Sequence, residues 1–313
     1  MSLITALTPT NLSEEKERFF NSDQYHPQLT YDWDVDKLYK QYKDDTEVLD
    51  FLDAIFNQDH RSIVLQAKKY FRSDLRQEHL NEAKKCLSTP LAKKPREDIQ
   101  RIKASFEKAF RFFDLDYTFT YSNQQGFFFR PNAKNKTIVA SLHADLQFFS
   151  IDGEVKHEMT HILRYENTRH NNIKRSPYYI ETEEGLASYM QDYHGDYGAH
   201  SLFQHAAEYA VTEVGLRGSL RDMVDYLVAI GFTKELAWQR SVRHKFGFID
   251  TSQPGDIMKP AMYFANEQKV QELTADERLR LFVGKIRMDE LPMYPTYRGI
   301  IPESKLREFY SMP

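Results

Sequence analysis

Apolar residues recur at intervals of three and four from Arg96 to Phe113, where Ile99, Ile102, Phe106, Phe110 and Phe113 share one face. The spacing predicts an amphipathic helix, with Pro95 standing where a helix start tolerates proline. Such a stripe is read as core packing. The chain up to residue 115 reads as helical, punctuated at Asn21-Ser22-Asp23, Asp44-Asp45-Thr46, Ser88-Thr89-Pro90 and Lys94-Pro95. Three short alternating runs then predict strands, Tyr117–Tyr121, Phe127–Arg130 and Lys136–Leu142, joined by the turn-forming stretches Asn123–Gly126 and Asn132–Asn135. Helical periodicity returns at Leu202–Leu216, Leu220–Ile230, Lys234–Lys245 and Ala275–Ile286. No repeat, low-complexity tract or Gly/Ser/Pro-rich linker divides the chain. The pattern therefore predicts an α+β fold, mostly helical with a small antiparallel sheet. Residues 1–115 form its helical N-terminal part, packed into one compact unit with 116–313.

Composition narrows this little. The chain has 313 residues, 41% hydrophobic and 28% charged, as soluble globular proteins do. A net charge of −4 lacks the basic footprint of nucleic-acid binding, and Lys93-Lys94-Pro95-Arg96 reads as a solvated loop. Cys86 is the single cysteine, so no intrachain disulfide is possible and a reducing, cytoplasmic setting is expected, with Cys86 buried in a helix. The N-terminus lacks the basic and apolar regions of a signal peptide, and no apolar run is long enough to span a membrane.

The chemistry concentrates in His157-Glu158-Met159-Thr160-His161. Four helical residues turn through roughly 400°, so His157 and His161 project from one face and both imidazoles can reach one metal ion. Glu158 lies beside them as a candidate base for an attacking water. Asp152 is a plausible N-cap, and Val155, Met159 and Ile162 supply an apolar stripe reaching to about Asn167. With 11 histidines in the chain, such a motif can arise by accident. A third ligand weighs against accident. Glu183 and Glu184 open a second helical pattern, and the interval from His161, passing Pro177, is long enough to return antiparallel beside the first helix. The small residues Gly185, Ala187 and Ser188 would allow a close approach. A His157, His161, Glu184 set leaves one zinc position open, as catalytic rather than structural sites do. Residues 116–313 are accordingly read as a gluzincin-like metallopeptidase part.

The residues also carry a resemblance. Pro9-Thr10-Asn11-Leu12-Ser13-Glu14-Glu15-Lys16, Tyr25-His26-Pro27-Gln28-Leu29-Thr30-Tyr31, the His157–Arg164 stretch with Asn167, Thr182-Glu183-Glu184-Gly185-Leu186-Ala187, Asp250-Thr251-Ser252-Gln253-Pro254-Gly255 and Leu281-Phe282-Val283-Gly284-Lys285-Ile286 run in order through the chain. In them the chain resembles the family that includes the microtubule-associated tyrosine carboxypeptidases and bacterial proteins with a QEGLA motif. The resemblance implies His157, His161 and Glu184 as zinc ligands and Glu158 as base. It also implies removal of a C-terminal residue from a protein tail, as that family removes the tyrosine of tubulin. Three departures stand out: plain i, i+4 histidine spacing where many members have one residue more, which leaves the metal chemistry intact, and Arg243-His244-Lys245-Phe246-Gly247 in place of Arg-Gly and Lys259-Pro260 in place of Lys-Asp, which imply a different substrate preference.

Trimming a C-terminus requires a cation for the terminal carboxylate, and Arg164, Arg243 and Lys259 are the candidates. Tyr178, Tyr179, Tyr263 and Tyr297 are candidates by type for an oxyanion donor. His170, His194, His200 and His205 are read as surface or internally satisfied histidines. A protein or peptide substrate is expected, with no nucleic acid or membrane partner. Within enzymes the runner-up is a zinc endopeptidase. From a different class, it is a non-catalytic protein-binding module, against which the intact Glu158 argues.

Overall fold

The computed structural model describes residues 3–89, 98–143, 150–176, 178–195 and 198–311. Pro95, the Lys93–Arg96 patch, the first residues of the helix expected from Arg96, Pro90 and Pro177 lie outside them. Along the chain run helices α1 (Leu3–Ala6), α2 (Leu12–Asn21), α3 (Val35–Tyr42), α4 (Thr46–Phe56), α5 (His60–Phe71), α6 (Gln77–Leu87) and α7 (Ile99–Phe112). Strands β1 (Thr118–Ser122), β2 (Phe129–Asn132) and β3 (Thr137–Ser141) follow. The rest is helical: α8 (Ile151–His170), α9 (Tyr179–His194), α10 (Gly198–Arg217), α11 (Leu220–Ala229), α12 (Lys234–His244), α13 (Ala261–Gln271), α14 (Ala275–Arg280) and α15 (Glu303–Tyr310). The fold is α+β. Among the described residues no helix is long and apolar enough to cross a membrane.

Two compact units arise, and neither is continuous in sequence. One comprises Met1–Leu87 with Ala207–Met262, the other Ser88–Ala206 with Tyr263–Pro313. The chain passes between the units inside α10 and again inside α13.

In the second unit the sheet has the order β1-β3-β2. It is mixed, not antiparallel as expected. β3 returns antiparallel to β2 through the Asn132–Lys136 turn, then inserts beside β1 and so runs parallel to it. The apolar stripe of α7 covers this sheet, with Phe106 packed on Phe119 and Phe129 at ring separations of 5.4 and 6.0 Å. Asp98 caps α7, its side chain accepting from the Gln100 amide. The start of α8 lies two residues before the expected one: Ser150 is the cap, accepting from the Gly153 amide at 3.1 Å. Asp152 lies inside the first turn and pairs with Lys156 at 2.8 Å.

α8 and α9 lie antiparallel, tied by Gln191 Nε2 to Glu154 Oε2 at 3.3 Å and by Lys156 Nζ to the His194 carbonyl. After α14 the chain makes a 3₁₀ turn at Leu281–Val283 and then runs extended along α8, where a helix to Ile286 was expected. Arg164 donates to the carbonyls of Leu281, Gly284 and Ile286, Asn167 to Phe282, and Asn171 to Val283. α13, which the hydrophobic pattern did not reveal, fits against α9 at Gly185. A Cβ there would stand 2.8 Å from the backbone of Asn266, so only glycine allows the approach.

In the first unit the segments carrying the outer part of the resemblance brace one another. Asn11 exchanges hydrogen bonds with Gln28 and Thr30, Glu15 accepts from Tyr25 and the Gln28 amide, and Thr251 donates to the Pro27 carbonyl. Lys245 is buried and donates to four carbonyls, of Gly215, Gly218, Gln253 and Gly255. Burial holds its pKa down at about 8. Cys86, expected in the core, is half-buried.

Candidate metal centre

The second unit brings together the three residues that the spacing selected. Ligand atoms of His157, His161 and Glu184 all lie within 4.8 Å of one another. His157 Nε2 is 3.7 Å and His161 Nε2 3.5 Å from the same Glu184 oxygen, with the two rings 5.0 Å apart. These separations are long for hydrogen bonds. They match the edges of a tetrahedron around an ion, since ligand bonds of about 2.1 Å place donors about 3.4 Å apart. The i, i+4 spacing on α8 points both imidazoles at α9, and α9 presents Glu184 because it returns antiparallel. Glu158 occupies the next position on α8 and is buried.

A second carboxylate fixes one of the imidazoles. His161 Nδ1 lies 3.1 Å from Glu183 Oε1, while Arg164 donates to Glu183 Oε2 at 3.1 Å and Lys285 pairs with Glu183 Oε1. Burial alone would raise the Glu183 pKa, but Lys285 and Arg164 outweigh it and hold it down at about 2. Glu183 is therefore an acceptor, His161 donates from Nδ1, and the lone pair of Nε2 faces Glu184. Burial depresses His157 to about 4, leaving it the neutral imidazole that a metal requires. Its Nδ1 is buried and has no hydrogen-bond partner among the described residues. For His161 burial acts downward, but Glu184, Glu183 and Glu158 together raise it. The donor set thus fits a divalent ion.

No protein-family model matches the chain. Over 192 aligned residues it is 27% identical to the mouse microtubule-associated tyrosine carboxypeptidase 1. The likeness is a distant one. It covers 55% of this chain and 38% of the mouse protein, so the chain spans well under half of that relative's length.

The other expected residues fall in varied settings. Arg164 is the clear correction: it is wholly buried, and its donors go to Glu183 and three backbone carbonyls, so it braces the site instead of meeting a substrate carboxylate. Arg243 belongs to the first unit and stands 3.9 Å from Glu208. Lys259 is half-buried in the same unit. Tyr263 opens the second unit's share of α13, its ring 6.2 Å from that of His157. Tyr297 is engaged by Asn167 and the Ile301 carbonyl, and the Tyr179 ring is covered by Lys285. Tyr178 precedes α9 in the left-handed region.

Sequence reasoning assigned no role to Glu183 or Lys285. The doubled glutamate was visible, but which member faced the histidines depended on the rotation of α9. It also missed a second trio of potential ligands, Asp192, His205 and Glu267, which come from three different helices.

Proposed function

We propose that the chain is a zinc-dependent metallopeptidase, acting as a carboxypeptidase on a tyrosine-like C-terminal residue of a protein tail. One observation carries this reading: two histidine Nε2 atoms on one helix face a single carboxylate oxygen on the next at 3.7 and 3.5 Å, with Glu158 between the histidines in sequence. The distant likeness to a tyrosine carboxypeptidase supports the peptidase class. His157, His161 and Glu184 hold the ion. Bound zinc supplies Lewis acidity, making a water nucleophilic near neutral pH and polarising a carbonyl. Glu158 takes the proton of the attacking water and returns it to the leaving amine. Glu183 keeps His161 in the tautomer that offers Nε2, and Lys285 and Arg164 keep Glu183 charged. Tyr263 is the proposed donor to the developing oxyanion. Arg243 and Lys259 stand as proposed substrate cations on the resemblance alone, and a tubulin-like tail as the proposed substrate class.

The test joins elemental analysis to Glu158→Gln. The parent is expected to carry zinc at this site and to release single residues from peptides with aromatic C-termini. The variant should keep metal and fold while losing activity by a factor on the order of 10³. A variant as active as the parent overturns the mechanism. Internal cleavage would instead select the endopeptidase, and a parent that is folded, metal-loaded and inert toward all peptides would select a binding module.

A further inference from the structure

We propose that Asp192, His205 and Glu267 form a second divalent-cation site, for zinc or manganese, separate from that of His157, His161 and Glu184. The three ligating side chains are 1%, 6% and 0% exposed, and their ligand atoms all lie within 4.8 Å of one another. Asp192 comes from the end of α9, His205 from α10 and Glu267 from α13, so three elements converge on one point. The Gly185 contact lets α13 approach α9 closely enough to bring Glu267 there.

The case rests on charge and on unmet acceptors. Buried Glu183, by contrast, has both Lys285 and Arg164. Asp192 and Glu267 have, among the described residues, no lysine or arginine in ion-pair range; both approach His205 Nδ1, at 2.8 and 3.6 Å, and their carboxyls lie close enough to each other to share a proton. Asp192 Oδ1 and both Glu267 oxygens are buried without a hydrogen-bond partner among the described residues. Two carboxylates and one imidazole bear two negative charges, which one divalent ion cancels while also satisfying the orphaned oxygens. His205 Nδ1 lies at hydrogen-bond distance, 2.8 Å, from Asp192 Oδ2, close enough for one ion to replace the proton between them. Carboxylate with imidazole is a donor set for zinc or manganese. Burial drives both carboxyls far above their ordinary range, as it must wherever nothing but protons relieves the charge. The His205 ring lies flat against Tyr263, 5.8 Å between centroids at 11°, and the same tyrosine ring borders His157. An ion fixing His205 therefore also fixes the wall of the first site.

The whole chain is stripped with chelator, reloaded with zinc sulfate or with manganese chloride, desalted and analysed for metal per chain. Two ions are expected in the parent and one in each of two variants, His157→Ala/His161→Ala and Asp192→Asn/Glu267→Gln. The first variant, stripped, is also expected to gain thermal stability on adding manganese chloride, a readout that does not require the second variant to fold. One ion in the parent that disappears with the histidine pair, together with no thermal shift in that variant, overturns the second site and leaves a cluster neutralised by protons. One ion that survives the histidine changes supports the second site and removes the peptidase reading instead.

Discussion

His161 and His244 each stand between two buried carboxylates, and of the two only His161 belongs to a group of ligand atoms that could hold a metal. In the first unit His244 Nδ1 meets Asp256 at 2.7 Å and Nε2 meets Glu208 at 3.2 Å. Arg240 pairs with Glu208 at 2.8 Å from behind, and the Met258 amide donates to Asp256. Both ring nitrogens are spent on opposite charges. Burial pushes the His244 pKa down, but Asp256 and Glu208 outweigh it and raise it to about 9, so this histidine is a cation at neutral pH. In the second unit the lysine and arginine stand behind Glu183 alone, His161 spends one nitrogen on it, and the other shares Glu184 with His157. A histidine among carboxylates is thus an ion pair or a ligand according to whether a lone pair is left over and where a second one converges.

Removing Glu208 should break the comparison most severely. Glu208→Ala strands Arg240 and His244 as buried cations and is expected to cost about 3–5 kcal/mol of unfolding free energy. It should leave metal content per folded chain unchanged, as denaturant titration beside elemental analysis would show. A loss below about 1 kcal/mol would mean that the first cluster is not the closed ion-pair network described.

The pH dependence separates the two histidines next. The folded pKa of His244 lies above the ordinary 6.5, so its stabilisation is fully present below pH 6.5 and is lost as pH rises through about 9. The expected loss is about 3 kcal/mol across that window. Unfolding followed from pH 6 to 10 in the parent and in His244→Gln checks it, and parallel curves would refute the assignment.

A smaller effect sharpens the metal side. Glu183→Gln removes the charge that orients His161 and should weaken zinc affinity about 10–100-fold, measured by chelator competition at a temperature where the variant is folded. Unchanged affinity would show that the helix, not Glu183, sets the ring.

What the sequence disclosed and what it hid follow from the same physics. The α7 stripe was legible because one face of that helix is buried and the other wet, so its apolar residues keep a period. α13 is buried nearly all round, from Ala261 and Met262 through Phe264, Ala265, Asn266 and Glu267, and so shows none. His157 and His161 were legible because a helix fixes their relation locally, and Glu184 because it sits in a recognisable motif. Lys285 was recorded only as part of the Leu281–Ile286 segment, since nothing local says that it returns to Glu183. Arg164 was misjudged for the complementary reason. An arginine near a motif reads as a clamp for anions, yet here it serves backbone carbonyls of a segment far along the chain. The strand order was hidden as well, because a three-strand sheet of consecutive runs reads as a meander until β3 is seen to insert between the others.

The interleaving of the two units sets an order on biosynthesis. His157, His161 and Glu184 have all been synthesised by residue 184, but Lys285, and the carbonyls that receive Arg164, are made some hundred residues later. The first unit, which needs nothing beyond Met262, can be complete before them. The nascent chain therefore carries the His157, His161 and Glu184 side chains well before it carries the charge that holds Glu183, and the cluster as described can be assembled only once residue 286 has been made.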